Sequence, residues 1–329
     1  MFQRSLQVFT RLYPVWLVLG ASLALWRPAT FAWFTGPLIP WSLMIVMLGM
    51  GLTLTVEDFR RLFRMPGALA LGFLAHYSIM PLAGWALGRM LNLDSGLAVG
   101  LILVASCPSG TASNVISFLA RADVALAVAV TLTSTLLAFV MTPIWCQALA
   151  GHYVPVDAWG ISLSTLQVVV APVLIGVFCN WRFPRAVAHA QRYGPVVSVV
   201  SLVLLTGGIV SANAAAVLAN AGRLTLAAFL LHVLGFGLGY VVARVLRYPA
   251  LTARTVSIEV GMQNGGMAIV LARKNFPLEP LATVPAVFSS VLQNIIGGLL
   301  AAYWRARPVK SAEPHGAAVA PLAGSAEAS

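Results

Sequence analysis

Long apolar stretches recur along the whole chain, and short polar or basic segments separate them. Many of these stretches approach the length of about 20 residues that a helix needs to cross a bilayer. The pattern predicts ten spans, at residues 12–34, 37–55, 67–91, 95–120, 123–150, 158–180, 194–219, 224–246, 251–275 and 281–304. Because a bilayer admits only helices and closed barrels as spanning structures, we expect an all-α polytopic membrane protein.

The two halves of the chain carry matching stretches. Residues 71–91 (LGFLAHYSIMPLAGWALGRML) and 226–246 (LAAFLLHVLGFGLGYVVARVL) each contain a histidine, then a glycine-aromatic pair, then Arg-x-Leu. Residues 107–114 (CPSGTASN) interrupt span four as residues 259–266 (EVGMQNGG) interrupt span nine, and Leu-Ala-Arg follows both. Interrupted helices at matching positions of an inverted repeat point to the central site of a transporter.

The duplication divides the chain into a first repeat at residues 1–151 and a second at 152–304. Five spans per repeat is an odd number, so the second repeat must be inverted across the membrane. This symmetry also favours a membrane helix for span one, although Arg4 and Arg11 before a short apolar stretch resemble a signal peptide. Residues 305–329 are rich in Pro, Ala, Ser and Gly and predict a disordered cytosolic tail.

Composition and charge agree with a membrane protein. The chain of 329 residues is 60% hydrophobic and 9% charged, with a mean hydropathy of +0.90. The net charge of +11 does not indicate a nucleic-acid partner, because the basic residues form short clusters between apolar runs, as topology signals do. With both termini inside, fifteen of the 20 lysines and arginines fall on the inner side and five on the outer side.

Glu259 is a carboxylate deep inside an apolar segment. An intramembrane acid is costly, so it is a functional-site hypothesis by default. The glycines of EVGMQNGG weaken the helix there, and Gln263 and Asn264 add polar side chains. A broken helix exposes carbonyls that suit a hard cation and amides that suit an anion. The alternative is a glycine-containing helix whose glutamate pairs with an arginine.

Other polar residues could belong to the same site. Span four breaks at Pro108, after which Thr111, Ser113 and Asn114 offer oxygens. Thr131 lies on one face of span five with two further hydroxyls, whose alternative role is to bond to their own helix.

Two further spans carry polar groups within apolar surroundings. His76 lies in span three, where an interhelical hydrogen bond is the alternative to a binding role. Gln293 and Asn294 give the last span a polar face, which serves either packing or a cavity.

Motifs of familiar enzymes are absent from the sequence. It contains no HExxH and no GxSxG, and no GxxxxGK[ST] for direct use of ATP. We therefore expect a transporter without enzymatic activity and without a cofactor.

Three long motifs resemble those of the bile acid:sodium symporter family. They are GLTLTVEDFRR at residues 51–61, CPSGTASNV followed by LARADVALAVAVT within 107–131, and SIEVGMQNGG at 257–266. The resemblance extends along essentially the whole chain. Residues 75–81 (AHYSIMP) and 297–308 (GGLLAAYWRARP) resemble the bacterial branch that transports pantoate, ketopantoate or pantothenate.

The resemblance implies ten helices in two inverted repeats, with a panel of spans 1, 2, 6 and 7 and a core of spans 3, 4, 5, 8, 9 and 10. Spans four and nine would unwind and cross in the core. The first implied sodium site consists of Ser113, Asn114, Thr131 and Glu259. The second consists of Glu259, Gln263, the carbonyls of Val260 and Met262, and His76. The implied substrate contacts are Thr111, Asn264, Gln293 and Asn294.

Two positions depart from the family pattern. His76 stands where the family has a glutamine, and Ala127 stands where it has a serine one turn before Thr131. Both departures leave the number and identity of the coupling ions open.

We therefore expect a Na⁺-coupled symporter of a small organic anion, located in a bacterial inner membrane with both termini in the cytoplasm. Pantoate-like and bile-acid-like substrates are both compatible with this interpretation. Proton coupling through Glu259 and His76 is an alternative, and so is a passive channel or sensor. A channel needs a continuous polar pore, whereas this chain has two focused interruptions, which favour a carrier.

Overall fold

A computed structural model describes residues 9–10, 12–307 and 309 of the chain. Within these residues the secondary structure is helical, apart from one isolated β-bridge. The α-helices are α1 (Tyr13–Trp26), α2 (Leu38–Thr53), α3 (Val56–Arg61), α4 (Pro66–Met90), α5 (Ser95–Ala105), α6 (Ala112–Leu119), α7 (Val124–Leu149), α8 (Ala158–Thr165), α9 (Ala171–Arg182), α10 (Pro184–Ala212), α11 (Ala214–Val245), α12 (Ala250–Gly261), α13 (Gly265–Asn275) and α14 (Val284–Arg305). Beyond residue 309 the predicted tail lies outside the described residues.

Six helical segments of the described chain are long and apolar enough to cross a bilayer. They are Pro66–Met90, Val124–His152, Ala158–Arg182, Pro184–Ala212, Ala214–Val245 and Pro280–Arg305. Helices α1, α2 and α5 are shorter and apolar. The protein is thus a multi-pass helical membrane protein, and the count of ten spans in two inverted repeats stays a prediction.

Helix boundaries differ from the expected spans at three places. The predicted boundary between spans seven and eight, at residues 219–224, is wrong: α10 ends at Ala212 and α11 begins at Ala214, on either side of Asn213. Helix α1 ends at Trp26 and not at residue 34, because Pro28 follows and starts a short 3-10 turn, Pro28–Thr30. Helix α10 begins at Pro184 and not at residue 194. Proline is favourable in the first turn of a helix, so the polar segment before residue 194 is helical as well.

Helices α1, α2, α9 and α10 pack against one another and are called the panel group here. Helix α2 approaches α9 closely at Gly51, where a Cβ atom would lie 2.2 Å from the carbonyl oxygen of Val173. Helices α4, α5, α7, α11, α12 and α14 pack together in a second set, called the core group. The interruptions between α5 and α6 and between α12 and α13 belong to this second set.

Candidate functional site

The two helix interruptions cross each other within the core group. The segment between α5 and α6 runs antiparallel to the segment between α12 and α13. The Gly110 N–H donates to the Met262 carbonyl at 3.1 Å, and the Asn264 N–H donates to the Pro108 carbonyl at 2.9 Å. Each interruption leaves backbone groups without partners in its own helix, and the crossing pairs some of them with each other.

Small residues allow the crossing to form. Pro108 has no N–H and ends the helical pattern after α5. A Cβ atom at Gly110 would lie 2.6 Å from the Gln263 carbonyl oxygen. A Cβ atom at Gly261 would lie 2.4 Å from the ring of Phe236. Any larger residue at either glycine would push the crossing segments away from their neighbours.

Glu259 lies near the end of α12 and is fully buried. Its Oε2 accepts hydrogen bonds from Ser109 Oγ and Thr131 Oγ1, both at 2.8 Å. Its Oε1 has no hydrogen-bond partner among the described residues. The ion pairs of the described chain involve Glu57 and Asp58, so the structure gives no support to a Glu259–arginine pair.

The four residues of the first predicted ion site lie together around this carboxylate. Thr131 Oγ1 is 3.2 Å from Ser113 Oγ and 3.5 Å from Asn114 Oδ1. Ser109 Oγ, which was not among the predicted ligands, is 3.4 Å from Ser113 Oγ. In the sequence, Ser109 is distinguished only by its position in the break of span four. The direction of its side chain depends on the crossing.

The second predicted site contains another oxygen without a partner. Gln263 Oε1 is buried and has no hydrogen-bond partner among the described residues, like Glu259 Oε1. The carbonyls of Val260 and Met262 each accept one hydrogen bond and keep a second lone pair. Buried acceptors rarely go unpaired in folded proteins, and oxygens on an unwound helix suit Na⁺. The residues present therefore fit a sodium ion.

His76 lies between the two interruptions. Its Nδ1 is 2.9 Å from the Glu259 carbonyl oxygen, and its Nε2 is 2.9 Å from the Cys107 carbonyl oxygen. A ring nitrogen that donates to a carbonyl has no lone pair for a cation. The structure thus places His76 as a bridge between the interruptions, and its predicted role as an ion ligand stays a prediction.

A cavity of about 60 Å³ lies between the panel group and the crossing. All four predicted substrate contacts line it, namely Thr111, Asn264, Gln293 and Asn294. The first residues of α6 and α13 line it too. Helix N-termini carry free N–H groups and a partial positive charge, so this side of the crossing favours an anion.

Side chains of the panel group cover this cavity. Leu43, Met47 and Leu202 give it an apolar wall, and the Tyr13 hydroxyl donates a hydrogen bond to Asn294 Oδ1. Asn264 Oδ1 accepts from the Met267 N–H at 3.0 Å and caps α13. The oxygen of this amide is therefore engaged, and its NH₂ group is the part that can serve a ligand.

A second cavity, of about 490 Å³, adjoins the first and shares Val46, Thr111 and Leu202 with it. It runs beside α6 and the panel group as far as Asp58. The second cavity therefore makes the crossing accessible from the α6 side.

Comparisons with known proteins agree with this geometry. Residues 40–221 match the model of the sodium bile acid symporter family. The chain is 44% identical to the probable sodium/metabolite cotransporter BASS1, chloroplastic, of Arabidopsis thaliana, over 92% of this chain and 75% of that protein. It is 40% identical to the uncharacterized sodium-dependent transporter YocS of Bacillus subtilis, over 89% of this chain and 90% of that protein. The chain therefore belongs to the sodium bile acid symporter family.

Proposed function

We propose that this protein is a symporter that couples Na⁺ to the transport of a small organic anion by alternating access. One observation carries the proposal. Glu259 Oε1 and Gln263 Oε1 are buried at the crossing without a donor among the described residues, and two helix N-termini lie at an adjoining cavity. A cation and an anion bound this close together stabilise each other electrostatically. Binding of one therefore favours binding of the other, as symport requires.

Glu259 would connect the two ion sites. In the first site it acts with Ser113, Asn114 and Thr131, and in the second with Gln263 and the carbonyls of Val260 and Met262. Its single negative charge offsets part of the charge of the cations. The first ion would join α6, α7 and α12, so that the two interrupted helices move as one body.

The substrate carboxylate would lie at the N-terminal ends of α6 and α13, where the Thr111 hydroxyl and the Asn264 amide can donate hydrogen bonds. The apolar body of the substrate would face Leu43 and Leu202. Pantoate, ketopantoate and pantothenate combine one carboxylate with a small branched body. They therefore match a site with hydrogen-bond donors at one end and an apolar wall at the other. Bile acids are the larger alternative, and the name of the Arabidopsis relative, a metabolite cotransporter, favours the smaller class.

The position of the larger cavity supports the orientation that the charge pattern predicts. The larger cavity reaches Asp58, which is followed by Arg60 and Arg61. Since basic loops stay in the cytoplasm, this conformation is open to the inside of a bacterial inner membrane, with both chain termini on the same side. Movement of the core group against the panel group would then expose the site to the outside.

Uptake into proteoliposomes tests the proposal directly. Labelled pantoate, pantothenate and taurocholate are offered with and without an inward Na⁺ gradient. Binding of Na⁺ is measured separately, from the rise in thermal stability that Na⁺ causes. Glu259→Gln should abolish both Na⁺-driven uptake and the stabilisation by Na⁺, because a neutral amide cannot balance the cation. Glu57→Gln is the control, since Glu57 lies in exposed ion pairs with Arg60 and Arg64. Normal Na⁺-driven uptake by folded Glu259→Gln protein would refute the proposal.

The same liposomes measure the ion stoichiometry. Two Na⁺ with one monoanion move a net positive charge, and at about 100 mV with a tenfold Na⁺ gradient they supply roughly 5 kcal/mol. A single Na⁺ makes transport electroneutral and supplies roughly 1.4 kcal/mol. We expect an inward current during pantoate uptake on a solid-supported membrane. Uptake without current would mean that only one ion moves.

Proton coupling is the second candidate, and the contacts of His76 favour it. A neutral imidazole can donate from only one nitrogen, while both nitrogens of His76 lie 2.9 Å from carbonyl oxygens. Both contacts are hydrogen bonds only when both ring nitrogens carry a hydrogen, that is, when His76 is protonated. Uptake driven by a pH gradient in Na⁺-free buffer would support this candidate in place of Na⁺ coupling.

A further inference from the structure

Four side-chain oxygens at the crossing form a closed ring. Ser109 Oγ and Thr131 Oγ1 each lie 2.8 Å from Glu259 Oε2. Ser113 Oγ completes the ring at 3.2 Å from Thr131 Oγ1 and 3.4 Å from Ser109 Oγ. Two oxygens bound at right angles to a cation at about 2.4 Å lie about 3.4 Å apart. The two edges at Ser113 are close to that separation, and the two edges at Glu259 are shorter. One small cation can contact all four corners once the hydroxyls of Ser109 and Thr131 move slightly away from the carboxylate.

Ser109 is held in this ring by the backbone. It pairs with Gln263 in the antiparallel bridge, and its N–H donates to Ser134 Oγ at 3.3 Å. The neighbouring Gly110 N–H is fixed to the Met262 carbonyl. Ser109 is fully buried, so bulk water does not reach its hydroxyl. A hydroxyl that is positioned before the ion arrives loses little entropy on binding it.

Helix α7 contributes one oxygen to the ring, from Thr131. Ala127 lies one helical turn before Thr131 on α7 and therefore faces the same way, but it carries only a methyl group. It is fully buried as well. At this turn α7 supplies no oxygen to the ring. Ser109, from the break after α5, supplies one instead.

We propose that the Ser109 hydroxyl is a direct Na⁺ ligand in the first ion site, together with Glu259, Thr131 and Ser113. This inference rests on the proposed function. When Na⁺ binds, the hydroxyl hydrogen of Ser109 turns away from the ring and a lone pair faces the ion, since a hydroxyl has one donor and two acceptor sites. Ser109 then acts as a ligand from one crossing segment, and Glu259 from the helix that leads into the other.

The opposing role for Ser109 is to donate a hydrogen bond to Glu259 and nothing more. The two roles predict different changes in Na⁺ affinity when the Ser109 hydroxyl is removed. A donor competes with the cation for the carboxylate, so its removal leaves Na⁺ binding unchanged or tighter. Removal of a ligand weakens Na⁺ binding, by about tenfold for one oxygen contact to a charged group.

The test measures the Na⁺ dissociation constant of purified protein without organic substrate, from Na⁺-dependent thermal stabilisation. Two variants of Ser109 are compared with Thr131→Ala, which removes an oxygen from the same ring. Ser109→Ala nearly conserves the volume, and Ser109→Cys replaces the oxygen by a soft sulfur that is a poor ligand for Na⁺. Ser117→Ala is the matched control, because the Ser117 hydroxyl is buried and has no hydrogen-bond partner among the described residues. Unfolding without Na⁺ reports whether each variant is folded.

We expect Ser109→Ala and Ser109→Cys to raise the Na⁺ dissociation constant about tenfold, as Thr131→Ala does, while Ser117→Ala leaves it unchanged. An unchanged or lower constant in both folded Ser109 variants, beside a raised one in Thr131→Ala, would overturn the assignment of Ser109 alone. If Glu259→Gln and Thr131→Ala also bind Na⁺ normally, the proposed function itself fails.

Discussion

The side chain of Gln293 pairs with both backbone groups of Gln263. Its Oε1 accepts from the Gln263 N–H at 2.7 Å, and its Nε2 donates to the Gln263 carbonyl at 2.9 Å. An amide side chain on α14 thus takes the place of a neighbouring strand beside the unwound segment. Gln293 was predicted as a substrate contact and does line the cavity, but both of its polar atoms already hold the crossing.

We expect Gln293→Leu to destabilise the fold, because it keeps a similar volume and leaves two buried backbone groups of Gln263 without this partner. The Gln263 carbonyl keeps the Gly265 N–H at 3.0 Å, so only the Gln263 N–H is left unpaired, and the loss should be about 1–3 kcal/mol in free energy of unfolding. Chemical unfolding in detergent measures it. Gln167→Leu, which removes a hydrogen bond to Lys274 at an exposed position, is the control and should change little. Equal free energies of unfolding for Gln293→Leu and Gln167→Leu would contradict the role of Gln293 in holding the crossing.

Gly110→Ala should prevent the crossing from forming. The added methyl would lie 2.6 Å from the Gln263 carbonyl oxygen, and this neighbour is backbone that cannot rotate away. We expect loss of Na⁺ stabilisation and of uptake together. Gly237→Ala is the matched control, because a Cβ there meets nothing within 4 Å and alanine favours a helix by about 1 kcal/mol. Transport by Gly110→Ala at the native rate would show that the segments can separate without harm.

Asn264→Asp separates the capping role of Asn264 from its role towards the substrate. Aspartate keeps an oxygen that can accept from the Met267 N–H, so α13 remains capped. It replaces the NH₂ donors by negative charge beside the cavity. We expect the apparent KM for the organic anion to rise at least about tenfold, the effect of about 1.4 kcal/mol, while Na⁺ binds as well or better.

Separate titrations of substrate and Na⁺ measure the effect of Asn264→Asp. Asn92→Asp at an exposed position is the control. A larger loss of Na⁺ affinity than of substrate affinity would place Asn264 on the ion side of the crossing.

Tyr13→Phe should shift the protein away from the conformation that is open on the α6 side. The Tyr13 hydroxyl donates to Asn294 and thereby ties the panel group to the core group. A hydrogen bond of this kind contributes about 0.5–1.5 kcal/mol, so the equilibrium should move by up to about tenfold.

A single cysteine in place of Ser198, which lines the larger cavity, reports the change. Its modification by a thiol reagent should slow in Tyr13→Phe and stay unchanged in the control Tyr193→Phe, at an exposed tyrosine. Cys179 is replaced first, because Cys107 and Cys146 are buried and Cys179 is only half-buried. Faster modification in Tyr13→Phe would mean that the hydroxyl does not hold this conformation.

The sequence by itself determined the class of the protein and the two places where its core helices break. Apolar runs of about 20 residues match spanning helices and are longer than the strands of a membrane barrel need to be, and Pro108 and the glycines of EVGMQNGG mark where helices must break. These are local effects, since each depends on a residue and its immediate neighbours. For the same reason the carboxylate of Glu259, alone inside an apolar run, was visible without any structure.

Only the tertiary structure decided which groups face one another. Ser109 and Glu259 are 150 positions apart, and their 2.8 Å contact exists because two unwound segments cross. The bridging contacts of His76 and the pairing of Gln293 with Gln263 depend on the same crossing. A side chain's type shows what it can bind, but its partner depends on packing between distant helices, which local sequence does not encode.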